Sequence, residues 1–247
     1  PKTRAIIVVH LYGRVADMPR LAAIAREHNL KLIEDACQAH GAVQDGKRAG
    51  TIGDVGCLSF YPTKNVGTVG EGGMVLTSND AIAERVASLR NHGQRERHHH
   101  VEPGYNYRMP ELQAAALRAL IPHLEEWNGG RVRAAGWYRE GLAGTSVAVP
   151  AAGPAGEHVY HLYVVRSTRR DELQRFLGER GIGTAIHYPV PIHLQPAYAS
   201  ERHGPGSLPR TEEAVDDILS LPMHPNITRE EVGAVCAAIR EFDATKG

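Results

Sequence analysis

Two residues in this sequence pair into a chemistry that neither carries alone. Asp35 closes a short apolar segment, Lys31-Leu32-Ile33-Glu34, and 29 positions later Lys64 follows another, Val55-Gly56-Cys57-Leu58-Ser59-Phe60. Beyond that lysine lies a glycine-rich turn, Gly67-Thr68-Val69-Gly70-Glu71-Gly72-Gly73. A lysine set between a hydrophobic strand and such a turn is poorly placed for a solvated surface charge and well placed to reach a crevice. Lysine amines condense with aldehydes to Schiff bases, and a protonated ring nitrogen needs a buried carboxylate beside it, so this pair is what pyridoxal phosphate chemistry demands. Spacing alone leaves plainer readings open: an aspartate after a strand also serves as a helix N-cap, and a loop lysine is commonly just hydrated. The glycine run fits neither a P-loop, where glycine precedes Lys-Ser/Thr, nor a dinucleotide loop, which opens a helix.

The elements around these residues have to bring them together. Ile6-Ile7-Val8-Val9 is a β-branched run without polar alternation, read as a strand buried on both faces of a parallel sheet. Asp17 can cap a helix whose Leu21, Ile24, Ala25 and His28 share a face, and the strand ending at Asp35 follows. In open α/β sheets the residues just past strand C-termini face the ligand crevice, which is where His10 and Asp35 fall. Val55–Phe60 and Met74–Thr77 read as further strands, 81–90 as a helix capped by Asn79 or Asp80, and 110–142 as mostly helix, interrupted near Gly129-Gly130. The Pro/Gly/Ala stretch 150–156 reads as a linker. Past it, 159–165 is expected as a strand, 171–179 as a helix, 184–186 as a strand, with two helices closing the chain. The expected organisation is therefore α/β: a mostly parallel large-domain sheet with its long connecting helix in 1–149, and a small α+β domain in 150–247.

Composition excludes several classes. With 28 Lys+Arg against 28 Asp+Glu in 247 residues the formal charge is zero, unlike a nucleic-acid or anionic-membrane binder. No apolar run approaches the ~20 residues that span a bilayer, and the start is too short for a signal peptide, so a cytoplasmic setting is expected. Three unclustered cysteines fit neither a disulfide framework nor a cysteine-rich zinc site. The run Arg95-Glu96-Arg97-His98-His99-His100 has adjacent histidines that point in different directions and no carboxylate at metal-ligand spacing, so it reads as a solvated loop and no metal is expected. Residue 1 is Pro and runs almost directly into a strand, as in a chain cut inside a domain.

Several ordered segments together resemble the DegT/DnrJ/EryC1/StrS sugar aminotransferases. They are Val9-His10-Leu11-Tyr12-Gly13, Glu34-Asp35-Ala36-Cys37-Gln38-Ala39-His40-Gly41-Ala42, Gly53 through Asn65, Gly70-Glu71-Gly72-Gly73, Gly104-Tyr105-Asn106-Tyr107-Arg108-Met109 with Gln113-Ala114-Ala115, His187-Tyr188-Pro189 with Ile192-His193-Leu194-Gln195, and Ser220 through Pro225. The resemblance spans nearly the whole chain. It implies the fold-type-I, aspartate aminotransferase-like architecture and pyridoxal 5′-phosphate as cofactor. Lys64 would carry the cofactor as a Schiff base and serve as general base. Asp35 would pair with the pyridinium nitrogen, Gln38 would lie against the ring or its 3′-oxygen, and Ser59 would bond the phosphate. Asn106 matches the asparagine that reaches the phosphate from a neighbouring subunit, which implies a homodimer with shared active sites. His10, Tyr61, His187, Tyr188 and His193 resemble substrate-facing positions. Each has a bland counterpart: Ser59 a strand hydroxyl, Asn106 a turn former, His10 and His40 imidazoles satisfied in turns, and His187, Tyr188 and His193 packing groups.

Lysine at position 64 argues for transamination over the related sugar dehydrations, whose resembling enzymes carry histidine there. The implied reaction takes an amino group from an amino acid, glutamate, to a keto sugar linked to a nucleotide, dTDP-3-keto-6-deoxyhexose by resemblance to the 3-keto branch. The product would be an amino sugar for antibiotic or polysaccharide biosynthesis. The 4-keto branch is the alternative, since one pocket residue is worth only ~1 to 3 kcal/mol of discrimination. A catalytically silent regulatory relative is the rival of a different class, and a generic fold-type-I enzyme for amino acids is a third. Arg166, Arg169 and Arg170 lie where that last reading wants a carboxylate clamp but read as surface residues. The resemblance also implies a preceding segment, on the order of a hundred residues, bearing a glycine turn for the cofactor phosphate and an aromatic that stacks on the ring.

Overall fold

The computed structural model of the chain describes residues 2–199 and 203–245. Pro1, on which the reading of a cut chain rests, lies outside the described residues. Two compact units interleave along the chain. One holds Pro1–Gly129 with Gly153–His161, the other Gly130–Ala152 with Leu162–Gly247. The sequence placed a single boundary at 150; compactness changes first at 129 and the segment 153–161 returns to the first unit.

The first unit is built on a four-stranded sheet. Its strands are β1 (Ala5–Val9), β2 (Lys31–Asp35), β5 (Val55–Ser59) and β6 (Gly73–Leu76), in the order β1-β2-β5-β6. β1, β2 and β5 run parallel and β6 is antiparallel to β5. Helix α1 (Met18–Glu27) makes the crossover from β1 to β2, and its N-cap is Asp17, whose carboxylate accepts from the Arg20 amide at 3.2 Å. Between β2 and β5 sits a tight hairpin, β3 (Val43–Gln44) with β4 (Lys47–Arg48). Helix α2 (Asp80–Leu89) starts from the Asn79 cap at 3.1 Å. It leads into an exposed hairpin, β7 (Gln94–Glu96) and β8 (His99–His100), where a loop was expected, and then into α3 (Glu111–Leu120). The core under the sheet is Val8, Val15, Met18, Ala25, Leu32, Ala36, Ala39 and Val159.

β1 departs from expectation. Only Val8 is buried, while Ile7 and Val9 are 68% and 47% exposed, because α1 covers one sheet face and no described residue covers these two side chains. The helix break falls elsewhere too. α3 ends in a 3-10 turn at Ile121–His123, where Pro122 lacks the amide that would continue the ladder, and α4 (Leu124–Gly141) runs unbroken through Gly129-Gly130. Gly130 is needed for close approach: a Cβ there would sit 2.1 Å from the Pro225 carbonyl.

In the second unit, β9 (Tyr163–Arg166) pairs antiparallel with β10 (Ile218–Leu221), a strand the sequence reading did not single out. The expected strand at 159–165 begins only at 163, because Tyr160 holds a left-handed φ of 46°. The expected strand at 184–186 reduces to one bridge, Ala185 with Ser220. α5 (Arg170–Gly178), α6 (Pro209–Asp217) and α7 (Arg229–Ala244) complete the unit. Leu173, Leu177, Leu219 and Ile239 are fully buried, and Tyr138 stacks on Tyr163 at 4.7 Å. Among the described residues no helix is long and apolar enough to cross a membrane.

Candidate active site

The parallel register sets Asp35 opposite Cys57, so the C-terminal ends of β2 and β5 lie side by side and Ser59 ends the neighbouring strand. The main chain at this end is tied by His10 N–H to the Asp35 carbonyl at 3.0 Å and Ala36 N–H to the Cys57 carbonyl at 2.9 Å. Asp35 Oδ1 accepts from the Cys37 amide at 3.1 Å. Lys64 sits in a turn closed by its own amide on the Tyr61 carbonyl at 2.9 Å and makes no ion pair among the described residues. Both charges act on the Cys37 thiol. Cys37 is pushed up to about 12, first by burial, then by the hydrogen bond and charge of Asp35, with Lys64 pulling the other way. Asp35 and Lys64, 29 residues apart in sequence, act on one thiol.

Neighbouring groups complete the arrangement. Gln38 is buried, and its carboxamide oxygen accepts from the Tyr12 amide at 2.6 Å. Ser59 Oγ accepts from the Tyr61 amide at 3.3 Å, which leaves the hydroxyl proton to donate. Tyr61 is 45% exposed. His40, 3% exposed, lies tilted against Phe60. Burial drives its pKa down to about 4; contact with the Ser59 main chain opposes the fall and the Lys64 charge adds to it. Asn106 is exposed, and its Oδ1 accepts from Arg108 Nε at 3.1 Å; the arginine only donates, so the amide nitrogen is the end left to meet an acceptor.

His10, expected among the substrate-facing residues, is held by bonds within the first unit. It is fully buried, Nε2 is 2.9 Å from Glu34 Oε2, and Nδ1 accepts from the Ala16 amide at 3.2 Å, so both nitrogens are engaged inside the protein. Glu34, which the sequence reading passed over, is the centre of this knot. Its Oε2 also takes the Gly50 amide at 2.8 Å, and Oε1 takes the Ile52 and Gly53 amides at 2.6 Å each. Burial alone would raise its carboxyl, but the His10 contact and the Gly53, Gly50 and Ile52 amides outweigh it and hold the pKa below the usual value. Glu34 and Asp35 alternate along β2, so the clamp on one face sets the height of the other. A glutamate inside an apolar strand, on the face opposite the chemistry, was the available signal, since a buried carboxylate must be paired.

Asn65 was also missed. It is 4% exposed, donates to Asn128 Oδ1 at 2.8 Å and to the Val159 carbonyl at 3.2 Å, and receives His161 Nδ1 at 3.1 Å. In the second unit, His187 Nδ1 lies 2.8 Å from Ser220 Oγ with Tyr188 edge-on against its ring, and burial lowers its pKa. Tyr188 is 54% exposed, and His193 Nε2 is held by Glu212 at 3.0 Å. The hairpin bearing His98, His99 and His100 is exposed, and no group of three or more metal-ligating side chains exists among the described residues.

The sequence family model of the DegT/DnrJ/EryC1/StrS aminotransferases matches residues 1–240, and the chain belongs to that family. It is 47% identical over 243 residues to dTDP-3-amino-3,4,6-trideoxy-alpha-D-glucose transaminase of Streptomyces venezuelae, covering 98% of this chain and 64% of that protein. It is 46% identical to a pleiotropic regulatory protein of Geobacillus stearothermophilus, covering 98% of this chain and 66% of that protein. Among solved structures, S. venezuelae DesV in complex with a ketimine intermediate superposes with a TM-score of 0.94 at 47% identity, over 98% of this chain and 66% of that one. The chain thus spans just under two thirds of the length of these relatives.

Proposed function

We propose that this chain works in pyridoxal phosphate-dependent transamination of a nucleotide-linked keto sugar, with glutamate as amino donor and a 3-keto-6-deoxyhexose on dTDP as acceptor. The product would be an amino sugar for antibiotic or polysaccharide assembly, made in the cytoplasm by a homodimer with shared sites. The reading is supported by Asp35 and Ser59 ending neighbouring strands, with the Lys64 turn following Ser59 in the chain and the charges of both Asp35 and Lys64 acting on Cys37. The name of the Streptomyces relative supports the position of amination.

The donor set fits the cofactor. Asp35 accepts from the Cys37 amide at one oxygen, and a carboxylate has further lone pairs with which to accept from a protonated ring nitrogen. Gln38 would flank the ring, while the Ser59 hydroxyl and the Asn106 amide nitrogen would donate to the phosphate, the latter from a partner subunit. When bound, pyridoxal phosphate supplies an aldehyde carbon and a ring that takes up an electron pair. Lys64 would hold it through Nζ and carry a proton to and from that nitrogen. Tyr61 in the first unit, and His187, Tyr188 and His193 in the second, are the residues proposed to contact the sugar substrate. The intact Asp35–Lys64 pair weighs against a silent regulator, although one close relative bears a regulatory name.

The test is the absorbance of the purified protein with pyridoxal phosphate. The wild type should show a band near the visible edge that bleaches with glutamate, and Lys64→Arg should lack it while keeping its circular dichroism. A wild type without the band, or a variant that keeps it, overturns the proposal.

A further inference from the structure

The cofactor lysine's turn is pinned by a buried relay of carboxamides whose orientation has only one self-consistent assignment. Asn128 Nδ2 donates to the His40 carbonyl at 2.8 Å, so Asn128 Oδ1 faces Asn65. Asn65 Nδ2 then meets that oxygen at 2.8 Å and the Val159 carbonyl at 3.2 Å, which turns Asn65 Oδ1 toward His161. His161 Nδ1, 3.1 Å away, must carry its proton there, because an amide oxygen only accepts. Asn65, Asn128, His161, Val159 and His40 are all at least nine-tenths buried, so no solvent competes for these bonds.

The relay joins the two places the chemistry needs. Asn65 is the residue after Lys64, and His40 lies in the turn Ala39–Ala42, directly after the turn Ala36–Ala39 that follows Asp35; it packs beside Phe60 and feels the Lys64 charge. The turn at Gly41 is fitted to the relay: it holds a φ of +79°, and a Cβ there would come within 2.9 Å of Asn128 Nδ2. We propose that Asn128 is a positioning residue for Lys64: through Asn65 on one side and the His40 carbonyl on the other it fixes the distance between the Lys64 turn and the Asp35 turn. This rests on the reading of Lys64 as the cofactor's anchor.

The test is trapping rather than turnover. Wild type, Asn128→Ala and Asn128→Asp are incubated with pyridoxal 5′-phosphate, reduced with borohydride, and the adducts mapped by peptide mass. In Asn128→Ala the share of label on Lys64 should fall on the order of tenfold relative to the other lysines, with unchanged circular dichroism. In Asn128→Asp the buried carboxyl is held protonated against the His40 carbonyl, so it keeps both an acceptor for Asn65 and a donor for that carbonyl, and it should retain Lys64 labelling to within about threefold of wild type. These magnitudes correspond to roughly one and half of a factor of ten in occupancy of the held conformation. Labelling of Asn128→Ala at the wild-type level, or equal losses in both variants, overturns the proposal. Should Asn128→Ala fail to fold, Asn128→Ser carries the same comparison with the same outcomes. If wild type itself places no label on Lys64, the functional reading fails and this inference falls with it, whereas wild-type labelling with an insensitive Asn128→Ala defeats the inference alone.

Discussion

Replacing Glu34 by Gln should be among the costliest single-atom changes in the first unit. The carboxylate accepts four hydrogen bonds, two at each oxygen: His10 Nε2 and the Gly50 amide on one, the Ile52 and Gly53 amides on the other. A carboxamide keeps one oxygen and turns an NH2 group toward two donors. Rotating the amide moves the conflict to the other pair. Switching the His10 tautomer only moves it to the Ala16 amide, which now donates to Nδ1. Two buried donors are left unpaired at about 1–3 kcal/mol each, so a loss of about 4 kcal/mol is expected. Urea unfolding of the first unit, followed by Trp127 fluorescence in a Trp137→Phe background, should show a midpoint lower by roughly 2 M at a slope of about 2 kcal/mol/M. The pH dependence has a definite sign. A carboxyl held below its unfolded value of 4.5 stabilises the fold fully above that pH and progressively less as pH falls through its lowered folded value. The gap between wild type and Glu34→Gln should therefore be widest above 4.5 and shrink in acid. A loss below about 1 kcal/mol, or a gap that widens in acid, would refute the clamp.

Two further predictions concern the site. Cys37, with its thiol near 12, should be alkylated by iodoacetamide at pH 8 on the order of a thousandfold more slowly than a free cysteine peptide; comparable rates would deny the influence of Asp35 on it. If Asn106 serves the partner's site, equimolar co-assembly of Lys64→Ala and Asn106→Ala subunits should restore up to about a quarter of wild-type activity, whereas two dead variants that stay dead together would deny sharing.

The chemistry was more legible than the framework. Asp35, Lys64 and Ser59 stand out because strand ends and glycine turns are local features; Asp35 and Ser59 end neighbouring strands and Lys64 lies in the turn after Ser59. Glu34 and the Asn65–Asn128 pair were not legible, since their meaning lies in partners 16 to 96 residues away that no local period announces. The bond from His10 to Glu34, on the neighbouring strand, was not legible for the same reason. In the fold, local punctuation competed with tertiary contact. Gly129-Gly130 looked like a helix break, yet Gly130 is there to admit the Pro225 backbone, and the break was written in Pro122 instead. The strand at 218–221 is only four residues inside a longer motif, and its pairing with β9 is set across more than fifty residues.

The most direct test of the central claim is to follow the nitrogen. The purified protein is given pyridoxal phosphate, glutamate labelled with nitrogen-15 and a dTDP-linked 3-keto-6-deoxyhexose, and the sugar product is analysed by mass spectrometry and NMR. The account predicts one labelled amino group at C3 of the sugar, an equivalent of 2-oxoglutarate, and loss of both in Lys64→Arg. Label that stays in glutamate, or that reaches the sugar in Lys64→Arg, would contradict it.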